Sequence, residues 1–148
     1  MRVVLQRVTK SAVSVEGRVV GQIGRGFCLL LGVAPADTEE DVGRMVQKVV
    51  GLRVFEDENR KMNRSLQDIG GEALVISQFT LLADCNTGRR PSFTGAGSPE
   101  NANQLYQLFV RKMAEAGIPT QTGIFAADMS VEIHNDGPAT FILESPSK

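Results

Sequence analysis

The stretch that most limits what this chain can become is Phe27-Cys28-Leu29-Leu30-Leu31, five apolar residues in a row. A strand with one wet face alternates apolar and polar side chains, because successive residues point to opposite sides. This run does not alternate, so it is expected to be a central strand covered on both faces. The residues before it read as further strands, Val3 to Val8, Ala12 to Glu16 and Arg18 to Ile23, with turns at Gly17 and at Gly24 to Gly26, where glycine permits positive φ. Val13-Ser14-Val15 alternates as a half-buried strand does.

Two helices are expected among the remaining elements. Val42, Met45, Val46, Val49 and Val50 fall on one stripe, giving a helix from about Thr38 to Val50. Asp37 or Thr38 can cap its start, Glu39, Glu40 and Asp41 suit the positive end of its dipole, and Gly51 suits a left-handed cap at its close. The second helix runs from about Pro99 to Ala116. Ser98 is placed as N-cap, Pro99 at the first helical position, Gly117 after the end and Pro119 beyond, with Ala102, Leu105, Phe109 and Met113 on the packed side.

Between the helices lie Leu52 to Phe55, a polar stretch from Glu56 to Gly71 and a strand from Ala73 to Leu82. After them, Ser130 to Asn135 alternates, Asp136-Gly137 has the composition of a hairpin turn, and Thr140 to Glu144 is expected as the returning strand, disturbed by Pro138. The tail Ser145 to Lys148 is expected to fray. With 148 residues, 42% of them hydrophobic and 22% charged, the chain is expected to form a single α/β domain over 1–148 with a sizeable core.

Its catalytic inventory is sparse. There is one histidine, His134, and there are two cysteines, Cys28 and Cys85, all about fifty residues apart, a spacing that speaks against structural zinc and gives no metal or cofactor site. Cys28 is expected to be a buried small hydrophobe and Cys85 a loop residue. Two unpatterned thiols and no signal peptide fit a reducing cytoplasm, and no apolar run is long enough to span a membrane. The net charge of −1 gives no general attraction to nucleic acid, although Arg89-Arg90 and the group Arg2, Arg7 and Lys10 leave a local patch open. His134 is expected as a half-exposed strand residue without an orienting partner, and Asp84 and Asp128 as caps or turn formers.

No P-loop, nucleophile elbow, dinucleotide fingerprint or zincin motif occurs in a fitting context. What remains is a polar tetrad, Ser77-Gln78-Phe79-Thr80, following the apolar Leu74-Val75-Ile76, and the loop Asn135-Asp136-Gly137-Pro138. Polar strand ends can present backbone N–H groups and hydroxyls to a cleft.

Ser77-Gln78-Phe79-Thr80-Leu81 and Asn135-Asp136-Gly137-Pro138-Ala139-Thr140 together resemble the paired signature of the D-aminoacyl-tRNA deacylases of the Gly-cisPro type. Gln6-Arg7-Val8, Leu30-Leu31-Gly32-Val33, Lys61-Met62-Asn63, Arg90-Pro91-Ser92-Phe93 and Phe125-Ala126-Ala127-Asp128-Met129 are similar to that family in the same order, from about residue 1 to 144. Ala139 stands where a bulkier β-branched residue is common, and Gly95-Ala96-Gly97 makes an unusually plain loop.

The resemblance implies a compact, strand-rich, barrel-like α/β fold with two main helices, a homodimer without a cofactor. Its implied reaction is hydrolysis of the ester joining a D-amino acid, or glycine mischarged on tRNA(Ala), to the tRNA 3′ end. Ser77, Gln78, Phe79 and Thr80 would line the aminoacyl pocket, with Phe125 and Met129 near the substrate. Gly137-Pro138 would reach in from the partner subunit, its bond cis and its carbonyls aimed at the substrate ammonium, and Arg7 would pin that loop.

Backbone N–H groups of Gln78 to Thr80 are expected to stabilise the oxyanion, with the substrate's 2′-hydroxyl helping water. Thr80 is expected to position rather than attack, since no base adjoins it in sequence; covalent attack is the rival. Arg89, Arg90, Lys10 and Arg2 are candidates for tRNA phosphates. Two other functions stay open: a trans-proline editing domain acting on L-alanyl-tRNA, and a non-catalytic RNA-binding barrel.

Overall fold

A single long strand organises the molecule. In the computed structural model, which describes residues 1–146, β1 runs without a break over Arg2–Val15. The two short strands expected there are one, because the polar Thr9 and Lys10 are merely exposed positions on a strand still paired to a neighbour. Glu16 and Gly17, at φ 51° and 77°, turn the chain into β2 (Arg18–Ile23), and Gly24-Arg25 leads into β3 (Gly26–Gly32).

One edge of β1 pairs with β3 over Arg2 to Val8 and with β2 over Ser11 to Val15, antiparallel in both cases. On its other side, β3 takes β6 (Glu72–Ser77) in parallel, and β6 takes β7 (Thr120–Thr122) in parallel. β7 then comes back against β2: a Cβ on Gly21 would lie 2.5 Å from the Thr122 carbonyl oxygen. The five strands β2-β1-β3-β6-β7 therefore curl into a nearly closed barrel. A small hairpin of β4 (Phe55–Glu56) and β5 (Met62–Arg64) lies inside the polar stretch, and neither it nor β7 had a periodic signal long enough to read.

The unbroken apolar run explains itself in this arrangement. Phe27, Leu29 and Leu31 point to the core shared with the helices, whereas Cys28 and Leu30 point to a second cluster with Val8, Val13, Ile23, Leu74 and Ile76. Ala73 and Val75 of β6 join the first cluster. Onto it pack α1 (Glu39–Gly51), through Val42, Met45, Val46 and Val49, and α2 (Pro99–Glu115), through Leu105, Phe109 and Met113.

Both helix starts agree with the sequence reading. Thr38 forms a reciprocal capping box with Asp41, and the Ser98 hydroxyl accepts the Asn101 N–H. Asp37 instead anchors the chain terminus, 2.5 Å from the buried Met1 ammonium. The end of α1 differs from expectation: Gly51 is still helical, and Leu52 leaves in an extended conformation at φ −65°, ψ 127°, so no left-handed cap forms. Gly117, at φ 87°, does take the left-handed position after α2.

Three other expectations are corrected. The strand read as Ala73 to Leu82 stops at Ser77, and Phe79–Leu82 coils into a 3₁₀ turn. There is no hairpin at Asp136-Gly137, because β8 is one strand over Ser130–Glu144, antiparallel to β1 along almost its whole length. Ser145 is tied down, its N–H on the Met1 carbonyl and its hydroxyl accepting from the Met1 ammonium; the last two residues of the tail, Ser147 and Lys148, lie outside the described residues. Among the described residues no helix is long and apolar enough to cross a membrane.

Candidate active site

β3 and β6 end side by side, and the chain leaving β6 is shaped by that neighbour. The Gln78 N–H donates to the Leu31 carbonyl at 2.8 Å, extending the parallel ladder by one rung. The chain then turns sharply, with Leu81 N–H closing onto the Gln78 carbonyl at 3.3 Å. Phe79 and Thr80 open this 3₁₀ turn, where the geometry offers their N–H groups no acceptor within the turn. Of the three amides expected to hold an oxyanion, Gln78 is thus already committed. Phe79 and Thr80 remain.

The Gln78 side chain adds a second constraint, its Nε2 donating to Thr80 Oγ1 at 2.9 Å. With one lone pair so taken, the Thr80 hydroxyl keeps its own proton to donate. A cleft of about 700 Å³ lies over this turn, and Ser77, Gln78, Phe79 and Thr80 all line it. Phe125 and Met129, from the connection between β7 and β8, form the facing wall.

Sequence reading missed three parts of that cleft. Phe93 meets Phe79 edge to face, centroids 5.2 Å apart, and its place in Arg90-Pro91-Ser92-Phe93 was the available signal. Ala126, at φ 65°, and Asp128 complete the β7–β8 wall. Among the described residues that line the cleft, Asp128 is the one ionisable side chain, and it is exposed. Below, Tyr106 is buried with its hydroxyl on the Val75 carbonyl at 3.2 Å and its ring 6.0 Å from Phe125; burial pushes its phenol up.

Gly137, Pro138 and Arg7 do not line this cleft. Between Val8 and Gln6, β1 advances two residues while β8 advances from Asn135 to Thr140, so Asp136 to Ala139 are extruded opposite the single residue Arg7. The buried Arg7 reaches under this loop. Its Nε donates to the Asp136 carbonyl at 3.2 Å and stands 3.4 Å from the Asp136 carboxylate, and its Nη1 donates to the Val54 carbonyl at 2.6 Å. The Gly137-Pro138 bond is cis, and both residues are exposed.

The remaining candidates scatter. Arg89 and Arg90 are exposed in a loop closed by two hydrogen bonds between Asp84 and Ser92, next to the Phe93 wall. Arg2 is engaged, its Nε on Glu144 at 2.7 Å and its Nη1 on the Leu81 carbonyl at 2.7 Å. Lys10 is exposed on β1 across from His134. His134 does have an orienting partner: its Nε2 lies 2.6 Å from Glu132 Oε1, a contact that, with Lys10 nearby, holds the Glu132 carboxyl below its ordinary range. Cys28 is buried, and burial raises its thiol; Cys85 is exposed. Among the described residues no three His, Cys, Asp or Glu side chains converge on a point that could hold a metal.

The family model described as D-Tyr-tRNA(Tyr) deacylase matches residues 4–144. Proteins named D-aminoacyl-tRNA deacylase from Sulfurihydrogenibium sp. (strain YO3AOP1) and Persephonella marina are 59% and 57% identical to the chain, each alignment covering 98% of both sequences. A solved structure named c-Myc DNA Unwinding Element Binding Protein is 42% identical, covering 99% of this chain and 100% of its own, with a TM-score of 0.94. A match of sequence and fold over nearly the whole length means that the chain belongs to the D-Tyr-tRNA(Tyr) deacylase family, hydrolases of the ester bond in aminoacyl-tRNA.

Proposed function

We propose that this chain hydrolyses the ester linking a D-amino acid to the 3′ end of tRNA, acting in the cytoplasm as a chiral proofreader of translation. The observation that carries the reading is the division of parts. The cleft holds the donors for ester chemistry, whereas the exposed Gly137-Pro138 loop stands outside its own chain's cleft, pinned by Arg7. A loop fixed so firmly and left exposed outside its own cleft is suited to entering the cleft of a second copy. The working enzyme is then a homodimer with two shared sites.

In that site the aminoacyl carbonyl sits over the start of the 3₁₀ turn. Water adds to the carbonyl carbon, the Phe79 and Thr80 N–H groups hold the resulting oxyanion, and collapse expels the ribose oxygen, which takes a proton to leave free amino acid and tRNA. Thr80, which adjoins no basic side chain in the cleft, donates its hydroxyl proton to position substrate, and the neighbouring ribose hydroxyl orients water. The partner's loop fills the volume an L side chain needs, so selectivity comes from steric rejection. Glycine, including glycine mischarged on tRNA(Ala), has no side chain to reject.

The test is release of labelled amino acid from matched D- and L-aminoacyl-tRNA. Rapid release from the D form alone supports the reading. Equal release from both, or none, overturns it, and release confined to L-alanyl-tRNA would assign the chain to L-specific editing. A trapped acyl-Thr80 ester would replace positioning with covalent attack.

A further inference from the structure

We infer that Asn135 is a positioning residue for chiral discrimination, the second of two pins that fix the Gly137-Pro138 loop; this rests on the reading of that loop as the gate against L substrates. Arg7 grips the loop at its entrance, through the Asp136 carbonyl. Asn135 closes it at its foot. Its Nδ2 donates to the Ala139 carbonyl at 3.0 Å, which ties the two ends of the extruded segment together, and to the Arg7 carbonyl at 2.9 Å, which ties that segment to β1.

Arg7 pairs with Phe27 of β3 on one edge, but on the other edge β8 bulges away and leaves it no strand partner, and Asn135 takes up its carbonyl there. A primary amide has two N–H donors, and here both have acceptors, on opposite sides of the bulge. The amide is itself held. Thr140 Oγ1 donates to Asn135 Oδ1 at 3.4 Å, and Gln6 Nε2 donates to Thr140 Oγ1 at 3.1 Å, so the order Gln6, Thr140, Asn135 sets which end of the amide faces the two carbonyls.

Asn135 therefore acts on the substrate only through the loop. It also locks the backbone of the residue whose guanidinium is the other pin. Loss of its donors frees the foot of the loop while leaving β1 and β8 paired on either side.

Asn135→Asp is the sharpest variant, since it keeps shape and replaces two donors with acceptors facing two carbonyls. The measurement is the ratio of D- to L-tyrosyl-tRNA hydrolysis, alongside hydrogen exchange of the 136–140 segment. The expected result is a fall of about tenfold or more in the ratio, the factor one hydrogen bond of ordinary strength carries, together with faster exchange. Thr140→Val, which removes the donor to Oδ1 and the acceptor for Gln6 but leaves both Asn135 donors in place, is expected to move both readouts the same way by less. Should Asn135→Asp fail to fold, Thr140→Val decides alone.

A wild-type ratio in a folded Asn135→Asp, or in Thr140→Val where that variant decides, overturns the inference. Gly137→Ala separates the two levels. If it lowers the ratio and the Asn135 variant does not, the positioning role alone fails; if Gly137→Ala keeps the wild-type ratio, the loop is no gate and both readings fall.

Discussion

A Cβ placed on Gly137 would stand 2.7 Å from Arg7 Nη2, at a backbone φ of 118° that L side chains rarely adopt. The loop and the arginine are thus fitted to each other with no room for a side chain between them. Arg7→Lys keeps the charge but has no planar fork to serve the Val54 and Asp136 carbonyls at once. Chemical denaturation of Arg7→Lys is expected to show a loss of about 1–3 kcal/mol, the cost of leaving a buried carbonyl unpaired. The D/L hydrolysis ratio should fall with it, and an unchanged ratio would separate Arg7 from selectivity.

How far the sequence reached depends on whether an element is specified locally. The Thr38 and Ser98 caps, the helix stripes and the doubly buried Phe27 to Leu31 run are all set by neighbours within a few positions, and all appear as read. Where a distant strand decides, local reading misleads. Asp136-Gly137 looks like a hairpin turn, but β1 pairs with both flanks and forces the four residues into a bulge with Gly137 and Pro138 exposed on it and Ala139 tucked in. Phe79 to Leu82 continues an apolar pattern, yet β3 ends at Gly32 and its Leu31 carbonyl captures Gln78, after which the chain has no partner strand and coils. The same capture withdrew one of the three expected oxyanion amides, a cost visible only once the parallel pairing of β3 and β6 is known.

Gly32 sets the height of that turn. A Cβ there would overlap the Leu82 side chain and come within 3.1 Å of the Gln78 carbonyl oxygen and 3.2 Å of Leu81 Cβ. Gly32→Ala is expected to displace the Phe79 and Thr80 amides and lower kcat by about 10²-fold, as small misplacements of reacting groups do. Gly43→Ala is the comparison, since a Cβ at this helical position meets nothing within 4 Å; it should gain about 0.5–1 kcal/mol in a thermal melt. A Gly32→Ala enzyme with wild-type kcat would show that the turn does not place the donors.

The two thiols should differ sharply. Burial raises the Cys28 thiol and shields it, whereas Cys85 is exposed in the loop after the turn. Because thiolate is the reacting form, the folded protein at pH 8 should label with one fast equivalent of an alkylating reagent, located at Cys85 by peptide mapping. Cys85→Ser should abolish the fast phase, and Cys28 should react only on unfolding.

The four basic candidates for tRNA contact should separate by how far each is already engaged. Phosphate contacts release counterions, so each lost contact to single-stranded RNA lowers the slope of log K against log salt by about 0.7. Arg89 and Arg90 are exposed beside the Phe93 wall, and replacing both with alanine should flatten the slope by about 1.4 with little change in stability. Arg2 already holds Glu144 and the Leu81 carbonyl in the 3₁₀ turn. Arg2→Ala should therefore leave the slope in place and slow hydrolysis instead, through a turn less well held. Lys10 lies outside the cleft lining, across from His134, and its replacement should change neither. Salt titrations of tRNA binding for the three variants, run beside single-turnover rates, check the division; a slope that falls for Arg2→Ala and not for the Arg89/Arg90 pair would move the RNA path to the β1–β8 face.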